Sequence, residues 1–168
     1  RKVIKKGQKI PNETLVNFVD GEIAQQSVHE ILKGKNAVIF ALPGAYTPTC
    51  SAAHLPGYSE KFEELAALGI DFIGCLSVND AFVMESWKKQ LGARQEIVML
   101  CDGNGDFSEK LGMLVNKRDL GFGLRSWRYA MHVQNLIVQK VFCEDKNTPG
   151  DPFEVSDAQT MVTYLTTG

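Results

Sequence analysis

Residues Ala37 to Leu42 read Ala-Val-Ile-Phe-Ala-Leu, six apolar residues with no polar interruption. A strand with one wet face alternates, so an unbroken apolar run bounded by turn residues predicts a strand covered on both sides, as at the centre of an α/β sheet. The run stops at Pro43-Gly44, and a helix-like segment begins near Cys50. Strand, short turn, helix is therefore the unit around which the rest of the chain must be arranged.

Other segments support an α/β reading. Thr14 to Val19 and Glu22 to Val28 flank Asp20-Gly21, a hairpin turn signal. The helix from Cys50 should run towards Leu68, kinked by Pro56 and ended by Gly69. Ile70 to Val78 reads as the next strand. Asp80 then caps a helix through Leu91, with Phe82, Val83, Trp87 and Leu91 at helical spacing. Ile97 to Cys101 reads as a short strand, and Phe107 to Gly112 as a short helix. Arg128 to Gln134 and Leu136 to Phe142 read as a hairpin, and 148–152 as a loop. Ser156 and Gln159 form a capping-box pattern before a last helix containing Met161, Val162 and Leu165.

A chain of 168 residues with 44% hydrophobic content suits one domain, residues 1–168, with a sizeable core. The net charge of −2 gives no reason to expect nucleic acid or an anionic membrane as partner. The basic arm Arg1, Lys2, Lys5, Lys6 and Lys9 reads as a solvated flank. No apolar run approaches the roughly 20 residues of a membrane span, and no secretory signal is visible. Four cysteines, at 50, 75, 101 and 143, form no CxxC pair, which favours a reducing compartment over a secreted disulfide framework. The expected location is the cytoplasm, or an organelle lumen of mitochondrial or plastid kind if a leader has been removed.

Cys50 is the candidate for chemistry. An ordinary thiol has a pKa of about 8.5 and is only a few per cent ionised at neutral pH. A helix N-terminus and a nearby cation both favour the thiolate, and an arginine suits best because it never loses its charge. Thr47 and Thr49 bring hydroxyls within a few residues of the sulfur, and Pro43 and Pro48 stiffen the approach. Arg128 and Arg125 are the competing guanidinium donors. His54, four residues after Cys50, reads as a structural or supporting hydrogen bonder rather than a metal ligand, since no second pair accompanies it. His29 and His132 read as ordinary.

The run Pro43-Gly44-Ala45-Tyr46-Thr47-Pro48-Thr49-Cys50 resembles the peroxidatic loop of the peroxiredoxins, P-x-x-x-T-x-x-C. With His54-Leu55-Pro56-Gly57-Tyr58, Cys75 to Val83 and Arg128-Tyr129-Ala130-Met131, the resemblance is to the type-5, or type II, branch and covers nearly the whole chain. It implies a thioredoxin-like α/β fold with an N-terminal β-hairpin and an inserted strand and helix. It also implies a thiol peroxidase acting on hydrogen peroxide and small alkyl hydroperoxides through a Cys50 sulfenic acid. By the same resemblance Thr47 holds the peroxide oxygen, Pro43 shields the site and Arg128, in preference to Arg125, supplies the guanidinium. A homodimer is implied, with Phe82 a candidate for its interface.

For regeneration, two routes stay open. Animal relatives carry a resolving cysteine before the last helix, and residues 147–155 here contain none. Plant relatives use the position that Cys75 occupies, 25 residues after Cys50. The alternative is reduction by glutathione, glutaredoxin or thioredoxin. Cys101 and Cys143 read as structural, and no motif implies a metal, flavin or haem. The competing functional readings are a thioredoxin-like disulfide reductase, disfavoured by the missing CxxC, and a redox-sensing or binding module without significant turnover.

Overall fold

The computed structural model describes residues 2–167; for Cys50 it describes the backbone and not the side chain. The chain opens with an antiparallel hairpin, β1 (Thr14–Val19) and β2 (Glu22–Ser27), turned at Asp20-Gly21 with both residues at positive φ. A short helix α1 (Val28–Leu32) follows, then β3 (Asn36–Ala41). After the loop come a π-helical segment, Cys50–His54, and the helices α2 (Leu55–Glu60) and α3 (Phe62–Ala67). Next are β4 (Phe72–Ser77), α4 (Ala81–Leu91), β5 (Val98–Cys101) and α5 (Asp106–Lys110). A small hairpin, β6 (Leu114–Asn116) and β7 (Leu124–Ser126), leads to β8 (Tyr129–Gln134), β9 (Ile137–Cys143) and α6 (Ala158–Thr167).

Five strands form one sheet in the order β5-β4-β3-β8-β9. Strand β3 runs parallel to β4 and antiparallel to β8, so it lies at the centre. Its side chains alternate between two cores. Val38 and Phe40 join the layer with Tyr58, Trp87 and Met161, whereas Ala37, Ile39 and Ala41 join the layer with Leu15, Phe107 and Trp127. Both faces are dry, which is why the strand reads as an unbroken apolar run. Full burial of each large side chain there contributes about 1.5–3 kcal/mol. Without β5, the order β4-β3-β8-β9 is the thioredoxin-like core; β5 extends it at one edge.

Several elements differ from the sequence expectation. The helix after the loop is not one kinked rod: a π turn at residues 50–54 is followed by two α-helices broken at Lys61. Pro56 sits in the first turn of α2, where its missing N–H costs nothing, so it opens a helix rather than bending one. The last helix is capped by Asp157, whose carboxylate accepts from Thr160 N at 3.2 Å; Ser156 points its hydroxyl elsewhere. Helix α1 and the β6–β7 hairpin were not expected. Trp87 is fully buried, but Phe82 is 62% exposed and meets Phe18 edge-on. Among the described residues, no helix is long and apolar enough to cross a membrane.

Candidate active site

The site lies where the C-terminal end of β3 meets the start of β8. The two strands pair Ala41 with Tyr129, so the loop leaving β3 and the residue preceding β8, Arg128, begin side by side. Two side chains anchor the loop. Asn79, just after β4, accepts from Ala45 N at 2.9 Å and from the Ser77 hydroxyl at 2.6 Å. Arg125 donates to the Pro43 carbonyl at 3.1 Å and to Phe122 O at 3.1 Å, and its guanidinium stacks over the Phe122 ring. A Cβ at Gly44 would collide with Arg125 Nη1, so only glycine permits this approach. Tyr46 has φ 68°, a left-handed conformation uncommon for a bulky side chain, and its hydroxyl meets Ser86 at 2.6 Å.

Thr47 is half-buried and donates its hydroxyl proton to the Gly44 carbonyl at 2.7 Å. With its proton committed there, the oxygen keeps its lone pairs to accept a further hydrogen bond. Pro43 is buried. Backbone residues 48 and 49 start the helical path, and Cys50 opens the π segment within its first turn. The expectation placed on the Cys50 sulfur lies outside the described residues. Its neighbour Ser51 accepts from Trp87 Nε1 at 2.9 Å, which ties this turn to α4. A cavity of about 540 Å³ adjoins the loop, lined by Pro43, Thr47, Thr49, Lys117, Phe122 and Asp151.

Arg128 is the most deeply buried cation here, at 0% exposure. Its Nη1 donates to His54 Nδ1 at 2.8 Å. Its Nε and Nη2 donate to Asp151 over 2.9–3.2 Å. With Nδ1 accepting, the His54 proton sits on Nε2, which donates to the Ser156 carbonyl at 3.1 Å. Burial, and then the charge of Arg128, hold the His54 pKa well below that of an ordinary histidine, so the ring is neutral. Phe153 covers both groups: its ring centroid lies 5.7 Å from Arg128 Cζ and 4.9 Å from the His54 ring.

The structure thus brings Pro43, Thr47, His54, Arg125 and Arg128 to one end of the sheet, where Arg125 meets Pro43 and Arg128 meets His54, four residues beyond Cys50. Cys75 lies in the middle of β4, between Phe40 and Met99, fully buried. Cys101 is also buried, which pushes its thiol pKa up to about 12. Sequence reasoning missed the roles of Asn79, Asp151 and Glu144, and it read Trp87 by its helical spacing without its bond to Ser51. Asn79 lies beside a buried strand already singled out, and a polar residue following such a strand was the available signal. Asp151 and Glu144 sit in or beside an irregular loop that offers none. His29 Nε2 donates to Ile10 O at 2.7 Å, and His132 lies between Asn36 and Tyr164, both remote from the site.

This geometry is a thioredoxin-like sheet carrying a thiol loop and a buried arginine at one end. The Redoxin family model matches residues 5–162. A peroxiredoxin from Synechocystis is 56% identical over 83% of this chain and 75% of its own length. A hybrid peroxiredoxin from Haemophilus influenzae is 48% identical over 95% of this chain, which spans only 65% of that protein. Reduced Prx3 from Vibrio vulnificus, solved with hydrogen peroxide, superposes with a TM-score of 0.90 at 43% identity, covering 97% and 99% of the two chains. The chain belongs to the Redoxin family, as a thiol peroxidase of the peroxiredoxin kind resembling the type-5 branch.

Proposed function

We propose that the protein reduces hydrogen peroxide and small alkyl hydroperoxides through Cys50, with Thr47, Arg128 and Pro43 completing the site. The Cys50 thiolate attacks one peroxide oxygen. The S–O bond forms as the O–O bond breaks, and the departing alkoxide or hydroxide takes a proton to leave as alcohol or water. The oxidised residue is a sulfenic acid. Thr47, its own proton committed to Gly44, accepts a hydrogen bond from the peroxide O–H. Arg128 stabilises the thiolate and the charge growing on the leaving oxygen. Arg125 and His54 support the arrangement through Pro43 and Arg128.

One observation carries this reading. A fully buried arginine is held by His54, which lies four residues beyond Cys50 in the same helical segment. Burying a guanidinium is costly, and a site that merely needed packing would use an apolar residue. The relative solved with hydrogen peroxide supports the choice of substrate.

Regeneration is assigned to an external thiol: glutathione, glutaredoxin or thioredoxin. Its attack on the sulfenic acid releases water and leaves a mixed disulfide, which a second thiol reduces. Full burial of Cys75 inside the sheet favours this route over an internal disulfide. Such a cycle requires a reducing compartment, in the cytoplasm or an organelle. The test is intact-mass analysis after one equivalent of peroxide, on wild type and Cys75→Ser. The expected result is a gain of one oxygen in both, converted to a glutathione adduct on adding the tripeptide. A loss of two hydrogens in wild type alone would assign resolution to Cys75. The exposed Phe82 supports association as a homodimer, which light scattering of Phe82→Glu would report as a shift to monomer.

A further inference from the structure

We propose that Asp151 is a positioning residue: its carboxylate fixes the Arg128 guanidinium in the orientation that the reacting sulfur and peroxide require. This rests on the Cys50–Arg128 reading above and extends it to a residue outside the recognised motifs.

Arg128 has no exposed side-chain surface and cannot shed its proton, so its charge must be met by an anion nearby. His54 is neutral and supplies an acceptor without charge. Asp151 supplies the charge, with Oδ1 taking Nε at 3.2 Å and Nη2 at 3.0 Å, and Oδ2 taking Nη2 at 2.9 Å. Contacts to two edges of a planar fork, Nε and Nη2 on one and Nη1 on the other, fix both its plane and its rotation. A single contact would fix neither.

The loop bearing Asp151 is itself held in shape. Glu144, 2% exposed at the end of β9, accepts from the backbone N–H groups of Glu154, Val155 and Ser156 at 2.8–2.9 Å. Glu144 N in turn donates to Arg128 O at 3.2 Å, so the loop begins against the residue it grips. Two residues after Asp151, Phe153 covers the guanidinium and the imidazole together. Asp151 is nonetheless 35% exposed, so its side chain can be changed without opening the core.

The test is stopped-flow oxidation by hydrogen peroxide, with the Cys50 thiol pKa read from the pH dependence of alkylation. Asp151→Ala and Asp151→Asn should lower the second-order rate constant about 10- to 100-fold and raise the thiol pKa. Asp151→Glu should recover most of the rate. In an Arg128→Met background, Asp151→Ala should add no further loss, because the fork it positions is gone. A rate within twofold of wild type and an unmoved thiol pKa in Asp151→Ala would overturn the proposal. So would an equal loss in the Arg128→Met background. Cys50→Ser separates the two layers: retained peroxide turnover there overturns the nucleophile and this inference with it. An inactive Cys50→Ser beside an unaltered Asp151→Ala overturns the positioning role alone.

Discussion

Glu144 holds Ser156 twice, its Oε2 accepting from Ser156 N at 2.8 Å and from the Ser156 hydroxyl at 2.6 Å. The Ser156 carbonyl in turn receives His54 Nε2 at 3.1 Å and the Tyr58 hydroxyl at 2.9 Å. The end of one loop therefore sets the orientation of an imidazole on the far side of the sequence, and through it the arginine.

Glu144→Gln follows from that contact. A carboxamide offers one oxygen where two carboxylate oxygens accept, and it turns an NH2 towards backbone donors. The expected loss is about 1–3 kcal/mol, the penalty of an unsatisfied buried group. Urea unfolding would measure it, and amide exchange should quicken at residues 154–156 before it does in the sheet.

Arg128→Met should retain folding and lose chemistry. Removing a donor aimed at developing charge typically reduces turnover about 10²- to 10³-fold. Arg128→Lys should recover little, because one ammonium cannot meet His54 and both Asp151 oxygens from a single fork. Peroxide-dependent oxidation rates for the two variants, compared with wild type, check this.

Stability should depend on pH through His54. Its folded pKa lies well below 6.5 because burial, and then Arg128, disfavour the charged ring. Below pH 6.5 the unfolded chain takes up a proton that the folded chain refuses, so this contribution is complete above 6.5 and lost as pH falls. The loss approaches about 1.4 kcal/mol per pH unit for one proton. His54→Gln should remove that part of the slope in denaturant unfolding between neutral and mildly acidic pH. His132, also lowered by burial, supplies a similar component that the variant leaves in place.

Asn79→Ala should loosen the thiol loop. It strips Ala45 N of its partner and leaves the Ser77 hydroxyl unmatched, at a cost of about 1–3 kcal/mol. The peroxide rate constant should fall more than the melting temperature predicts, since the residue acts on the loop before the core. Rates at a temperature well below unfolding would separate the two effects.

The parts legible in the sequence were those with a strong local pattern. Strand β3 announced itself by its apolar run, α4 by Asp80, whose carboxylate does accept from Val83 N at 2.9 Å, and the first hairpin by Asp20-Gly21. Helix α1 had a signal too: Ser27-Val28-His29-Glu30 fits a capping box, and Ser27 Oγ accepts from Glu30 N. The three-residue strands β6 and β7 are too short to show alternation. At the site, Cys50, Thr47, Pro43 and Arg128 stood in motifs. Asp151 did not, because its role depends on a partner 23 positions away, reached by a loop without periodicity.

The β3–β8 ladder works as a ruler. It pairs Ala41 with Tyr129, so the thiol loop and Arg128 are spaced by one interstrand gap of about 4.8 Å rather than by flexible chain. A slip of one residue would turn Arg128 to the opposite side of the sheet. Relatives built on this scaffold are therefore free to lengthen the surrounding turns and reshape the mouth, while the register of that single strand pair has to stay.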